Sequence, residues 1–236
     1  MFLFYLPDYI LIAAAVIPAL ALLVYVYRHD RIEKEPPMLL LSLVFYGILA
    51  TSVAKVLERA GMFLLDAALP GGTILSQVIL YFGIVAYSEE GAKYALLKWR
   101  TWNSPDFNCR FDGVVYAVFV SLGFALWENI AYVFAYGLGT ALLRAVTAIP
   151  GHACFGVFMG CWYGQARLLE NRGEAAGAKA MRVFAVVLPA LLHGAYDFLA
   201  SLAAYYSAWY FVAFVVVLFL ITWWVIKRMS AQDTFV

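Results

Sequence analysis

Seven apolar runs, each bounded by charge, proline or glycine, divide the chain near 8–27, 38–57, 73–97, 113–136, 143–166, 182–203 and 207–226. A bilayer core needs about 20 apolar residues per helix, so each run predicts a membrane-spanning helix. The first run lacks the basic leader and small-residue cleavage site of a signal peptide, and is expected to remain as the first helix. After it, Arg28-His29-Asp30-Arg31-Ile32-Glu33-Lys34-Glu35-Pro36-Pro37 is dense in charge and ends in prolines that stop one helix and admit the next. The weakly polar segment from Glu58 to Gly72 is expected to lie along the outer interface. Small residues recur every four positions, as Gly113, Ala117, Ser121 and Ala125 in the fourth run and as Gly156, Gly160 and Gly164 in the fifth. Such stripes let helix backbones approach closely.

Composition agrees with this pattern. The chain is 65% hydrophobic and 13% charged, against about 25% charged residues in a soluble domain. The fold class expected is all-α: a polytopic membrane helical bundle of about seven helices, forming one domain over residues 1–236 in contact with the lipid bilayer. Basic residues concentrate in the first, third and fifth loops and at the C-terminal end, while the opposite side holds only Arg59 and Arg144. The positive-inside rule then places the N-terminus outside and the C-terminus in the cytoplasm. A net charge of +1 held in short loops gives no footing for nucleic acid. Cys109, Cys154 and Cys161 form neither an even disulfide framework nor a CxxC metal motif and read as packing residues.

What packing does not explain is the set of ionisable groups inside the runs. Glu89, Glu90 and Lys93 lie in the third, Glu128 with Asn129 in the fourth, His152 in the fifth, and His193 with Asp197 in the sixth. Each charge at mid-bilayer costs roughly 2.5–3.5 kcal/mol even on lenient insertion scales, so such groups face a bundle interior and mark functional sites. At 1.5 Å rise per residue, Glu89, His193 and His152 lie roughly 15, 16 and 12 Å from the nearer edges of their helices, all near mid-membrane. Glu128 comes out deeper, roughly 24 Å from the cytoplasmic edge, and is expected to support the site from the far side. The spacing of four puts Glu89 with Lys93, and His193 with Asp197, on shared helix faces.

Paired carboxylates in a low-dielectric site suit general acid–base work, and peptide hydrolysis needs an activated water, a stabilised oxyanion and a protonated leaving amine. Two chemistries fit. His152, His193 and a carboxylate such as Glu90 could hold Zn2+, or a glutamate could act without metal while the histidines stabilise the oxyanion. No Gly-x-Ser-x-Gly elbow or intramembrane aspartate pair offers an alternative nucleophile or acid dyad. The same buried groups could also serve a proton-coupled transporter or channel, although paired inverted halves are not evident.

The order Glu89-Glu90-Gly91-Ala92-Lys93, Asp112-Gly113, Gly123-Phe124-Ala125, Glu128-Asn129-Ile130, Pro150-Gly151-His152 and His193-Gly194-Ala195-Tyr196-Asp197 resembles that of the PrsW intramembrane proteases. That family is distantly similar to the CAAX prenyl proteases and their bacterial relatives. The loop Pro105-Asp106-Phe107-Asn108-Cys109-Arg110 is less acidic than the family pattern. The resemblance implies a bacterial plasma-membrane protease that cuts a single-span membrane protein, of anti-sigma-factor type, as the first cleavage of a stress cascade. It implies Glu89, Glu90, His152 and His193 as the essential residues. Lys93 is expected to tune the carboxylates and Asp197 to orient His193.

Overall fold

The computed structural model describes residues 8–69, 71–203 and 206–236. Its elements are α1 (Asp8–His29), α2 (Pro37–Ala68), α3 (Ile74–Val78), a π-helical segment (Ile79–Val85), α4 (Ala86–Thr101), α5 (Asp112–Tyr136), α6 (Leu138–Val146), α7 (Ala148–Asn171), α8 (Ala175–Ala203) and α9 (Trp209–Ala231). Six helical stretches are long and apolar enough to cross a membrane, with α6 and α7 counted as one. The rod from Ile74 to Thr101 is the predicted third span. It is broken by the π segment and carries the intramembrane charges. The protein is a polytopic membrane helical bundle.

Pro37 opens α2, where a missing N–H costs nothing, and Leu40 N donates to Pro36 O at 3.1 Å. The stretch after Glu58 does not turn aside as an interfacial segment. It continues α2 for three more turns to Ala68, because no proline interrupts it over that length. The predicted fifth span, in turn, starts too early. Thr147, at φ −123° and ψ −71°, separates a short α6 from α7, and Gly137 at φ 82° separates α6 from α5. Gly137 adopts a conformation that a side chain would strain.

α5 is the axis of the bundle, buried along most of its length and packed against α1, α2 and α7. Its small-residue stripe meets the matching stripe of α7. A Cβ on Gly160 would collide with Gly113 O, and one on Gly156 would stand 2.9 Å from Ser121 Oγ. This close approach is what both four-residue repeats provide, and it holds α7, with His152, against the middle of the bundle.

The Ile74–Thr101 rod is fitted to α8 in a different way. Within the π segment the Ala86 N–H donates to Tyr81 O, five residues back, which widens the helix just before the glutamate pair. Phe82 on this widened turn presses on Gly194, where an added Cβ would lie 2.6 Å from Phe82 Cδ1. The residue before Gly194 is His193, so the contact sets the imidazole opposite Glu89 and Glu90. In α8, Pro189, one turn before the histidine, has no N–H to donate to Ala185 O.

Candidate active site

Glu89, Glu90 and Lys93 from α4, His152 from α7 and His193 from α8 come together in the buried interior. Lys93 is fully buried and donates from Nζ to Glu90 Oε1 at 2.8 Å and Glu89 Oε2 at 3.4 Å. It also donates to His152 Nδ1 at 3.1 Å and stands 4.0 Å above the Phe124 ring. A buried ammonium this well paired holds two carboxylates and an imidazole in one place, and removing it would leave uncompensated buried charge.

These bonds fix the imidazole tautomers. Because His152 Nδ1 accepts from Lys93, its Nε2–H points to Glu128 Oε2 at 3.3 Å. His193 Nδ1–H donates to Glu90 Oε1 at 2.9 Å, leaving Nε2 directed between Glu89 Oε2 at 3.8 Å and Asp197 Oδ2 at 3.5 Å. Both carboxylates reach the ring: Glu90 makes the shorter contact, at Nδ1, and Asp197, expected from the sequence to orient His193, approaches Nε2. Asp197 sits on the open side, where helix spacing alone could not place it. Phe155 stacks on His193, with centroids 4.8 Å apart and planes 19° apart, and restricts the ring further.

Glu128 and Asn129, from α5, lie beside the cluster. Glu128 is approached by Arg144 Nη2 at 3.4 Å and Lys55 Nζ at 3.7 Å besides His152. Asn129 ties helices together, donating to Ala15 O of α1 at 3.0 Å and accepting from Arg144 Nε at 3.1 Å. Arg144, read from the sequence only as a topology marker, is thus a partner of the site. Lys55, Phe155 and Tyr81 are the other neighbours that periodicity did not single out. The His152–Phe155 spacing of three was the one available signal.

A cavity of about 280 Å³ opens onto this cluster, lined by Glu89, Glu128, His152, His193 and Asp197, by Tyr81, Val85, Phe155 and Tyr196, and by Lys55, Glu58 and Arg144 toward its mouth. Glu89 reaches it. Glu90, with no exposed surface, does not.

Glu89, Glu90, His152 and His193 can each offer a ligand atom within 4.8 Å of the others, a nitrogen and oxygen set of the kind that holds catalytic zinc. Glu90 Oε2 is buried without a hydrogen-bond partner, which leaves one oxygen of the set unused by the fold. Lys93 Nζ stands among Glu89, Glu90 and His152, so a metal held by Glu90 or His152 must displace the ammonium. His193 Nε2 and Glu89 are the donors open to the cavity.

Comparison with known proteins gives the family. Residues 35–224 match the PrsW family intramembrane metalloprotease family. The chain is 34% identical over 220 residues to a protease PrsW of Shouchella clausii, covering 93% of this chain and 97% of that protein. It is 34% identical over 223 residues to one of Geobacillus kaustophilus, covering 94% and 91%. A Bacillus subtilis protease PrsW is 31% identical over 214 residues, covering 91% of each chain. No solved structure matches. A multi-helix membrane bundle whose carboxylates and histidines converge on one cavity, in a chain similar to these proteases over nearly its whole length, belongs to the PrsW family and is an intramembrane peptide hydrolase.

Proposed function

We propose that Glu89 is the base that activates water for peptide hydrolysis, and that the substrate is a single-span membrane protein cut in the outer half of the bilayer. The observation that carries the assignment is the different setting of two adjacent glutamates. Glu89 lines the cavity beside His193 Nε2, whereas Glu90 is walled off between Lys93 and His193 Nδ1. In this reading Glu89 takes a proton from water as its oxygen attacks the scissile carbonyl. His193, doubly protonated with Nδ1–H on Glu90, donates its Nε2–H to the oxyanion, and Glu89 returns the proton to the leaving amine. Glu90 holds His193 in position, and Glu128 does the same for His152.

A divalent ion, zinc by donor type, would be held by His193 and, once Lys93 withdraws, by His152 and Glu90, leaving Glu89 to act on the water. When bound, it would polarise the carbonyl and acidify the water. The cavity mouth at Lys55, Glu58 and Arg144 lies at the end of the bundle away from the basic loops, which supports entry from the outer side with the N-terminus outside. A membrane-anchored regulator of anti-sigma-factor type, in a bacterial plasma membrane, fits that geometry.

The test is cleavage of a panel of single-span proteins by the protein in liposomes, with metal content measured on the same preparations. Cleavage by wild type that Glu89→Gln abolishes, in a protein that remains folded, supports the assignment. Undiminished cleavage by Glu89→Gln overturns it, and cleavage lost on metal removal and regained with zinc assigns the ion.

A further inference from the structure

A second cavity, of about 460 Å³, lies away from the catalytic cluster on the outside of the bundle, between α7, α8 and α9. Its walls are apolar, formed by Phe158, Trp162, Leu188, Trp224 and Val225 among others, and one end is closed by Arg110 and Arg228. That end belongs to the side of the bundle where the basic loops gather.

The two arginines lack acidic partners. Among the described residues, no carboxylate lies within ion-pair distance of either. Arg110 Nη2 has only the neutral thioether of Met229, at 2.9 Å, and its Nε is buried with no partner. Arg228 lies over the Trp224 ring at 5.0 Å, and its Nε reaches only Gln232 Oε1 at 3.5 Å. Asp233, in the adjoining tail, gives Oδ1 to the backbone N–H groups of Phe111 and Thr234 at 2.8 and 2.9 Å, and lies near Arg110 without forming an ion pair with it. The backbone of Arg110 is itself pinned, its N–H donating to Thr234 O at 2.9 Å. The guanidinium is therefore held at the head of an apolar groove.

A buried guanidinium nitrogen without an acceptor is costly, and a paired basic site above an apolar trough in a membrane protein matches one ligand chemistry: a phosphate carrying acyl chains. We propose that this groove binds an anionic phospholipid, its phosphate between Arg110 and Arg228 and an acyl chain along Phe158, Trp162, Leu188 and Trp224. The lipid then bridges α7, which carries His152, α8, which carries His193, and α9.

The test uses the full chain in nanodiscs of phosphatidylcholine, with phosphatidylglycerol added in increments and bound lipid counted by native mass spectrometry. Wild type should take up phosphatidylglycerol at least about tenfold more tightly than phosphatidylcholine, at about 1 kcal/mol per basic residue. Arg110→Gln with Arg228→Gln should remove that preference, while Arg172→Gln with Lys179→Gln, equal in charge and outside the groove, should retain it. Glycerol phosphate alone should not compete, since the chain supplies the rest of the contact. Equal uptake of the two lipids by wild type overturns the proposal without reference to any variant. So does a preference that survives the paired arginine substitutions, one that the control pair also loses, or competition by the free headgroup.

Discussion

Two clusters of buried acids lie in this bundle, and they are built on opposite principles. In the catalytic cluster every carboxylate faces a cation or an imidazole: Glu90 meets Lys93 and His193, Glu89 meets Lys93, and Glu128 meets Arg144 and His152. At the other end of α5, Asp30, Glu35 and Asp112 are buried together with no ion pair to a basic group among the described residues. They receive only neutral donors: Tyr116 O–H to Glu35 Oε2 at 2.6 Å, and the Asn108 and Cys109 N–H groups to Asp112 Oδ2 at 3.0 and 2.6 Å. Both oxygens of Asp30 and one of Glu35 have no partner. The first arrangement keeps charge inside the bundle by opposing it. The second keeps charge down by favouring protons, since burial pushes the Glu35 carboxyl up to about 7 and that of Asp30 up to about 6.

The sharpest way to separate the two is function. Glu89→Gln should lower cleavage about 10²- to 10⁴-fold, the usual worth of a general base, while Glu35→Gln should leave it near the wild-type rate. Both are read from product release in liposomes. Equal losses would mean that the loop acids belong to the catalytic machinery.

Next comes the response to removing a cation. Lys93→Met should destabilise the folded protein by about 3–5 kcal/mol, because it strands two carboxylates. Adding Glu90→Gln should restore part of that loss. Unfolding in mixed micelles measures both, and a double variant no more stable than the single one would show that Lys93 is not chiefly a counter-ion.

A smaller effect concerns pH. Glu35 holds its proton more tightly folded, near 7, than in the ordinary carboxylate range of the unfolded chain. Its contribution is therefore fully present at low pH and lost as the pH rises toward about 7. Its neighbours in this respect are Asp112, Asp30, Asp106 and Tyr116. Asp30, beside Lys34, Asp233 and Glu33, behaves likewise up to about 6. Stability should fall by on the order of 1–2 kcal/mol between pH 5 and pH 8, and Glu35→Gln should flatten that slope. A slope that survives the substitution would place the titration elsewhere. The smallest change expected is from Asp30→Asn, neutral or stabilising by under about 1 kcal/mol at pH 8, because it removes a buried charge whose oxygens have no hydrogen-bond partner.

The spans were legible because lipid imposes one requirement on every residue of a run, and apolar length records it. The intramembrane acids and histidines were legible for the complementary reason that they violate it. What periodicity could not carry is rotation and distance between helices. That Lys93 would reach His152, 59 residues away, or that Glu90 would meet His193 at Nδ1, depends on how α4, α7 and α8 are turned about their axes. The loop from Arg28 to Pro37 showed its charge but not that Asp30 and Glu35 would be buried, because that burial comes from α5 and the C-terminal tail folding over it.

The π-helical segment at Ile79–Val85 extends this point about rotation. One surplus residue in a helix turns everything beyond it by about 100°, so the direction in which Glu89 faces is set by the length of the preceding turn as well as by its own side chain. A single-codon deletion between residues 79 and 85 would spare every reactive group and its depth in the bilayer. It would nonetheless swing the glutamates away from His193, so that a lesion touching no charged residue would behave genetically like the loss of Glu89 itself.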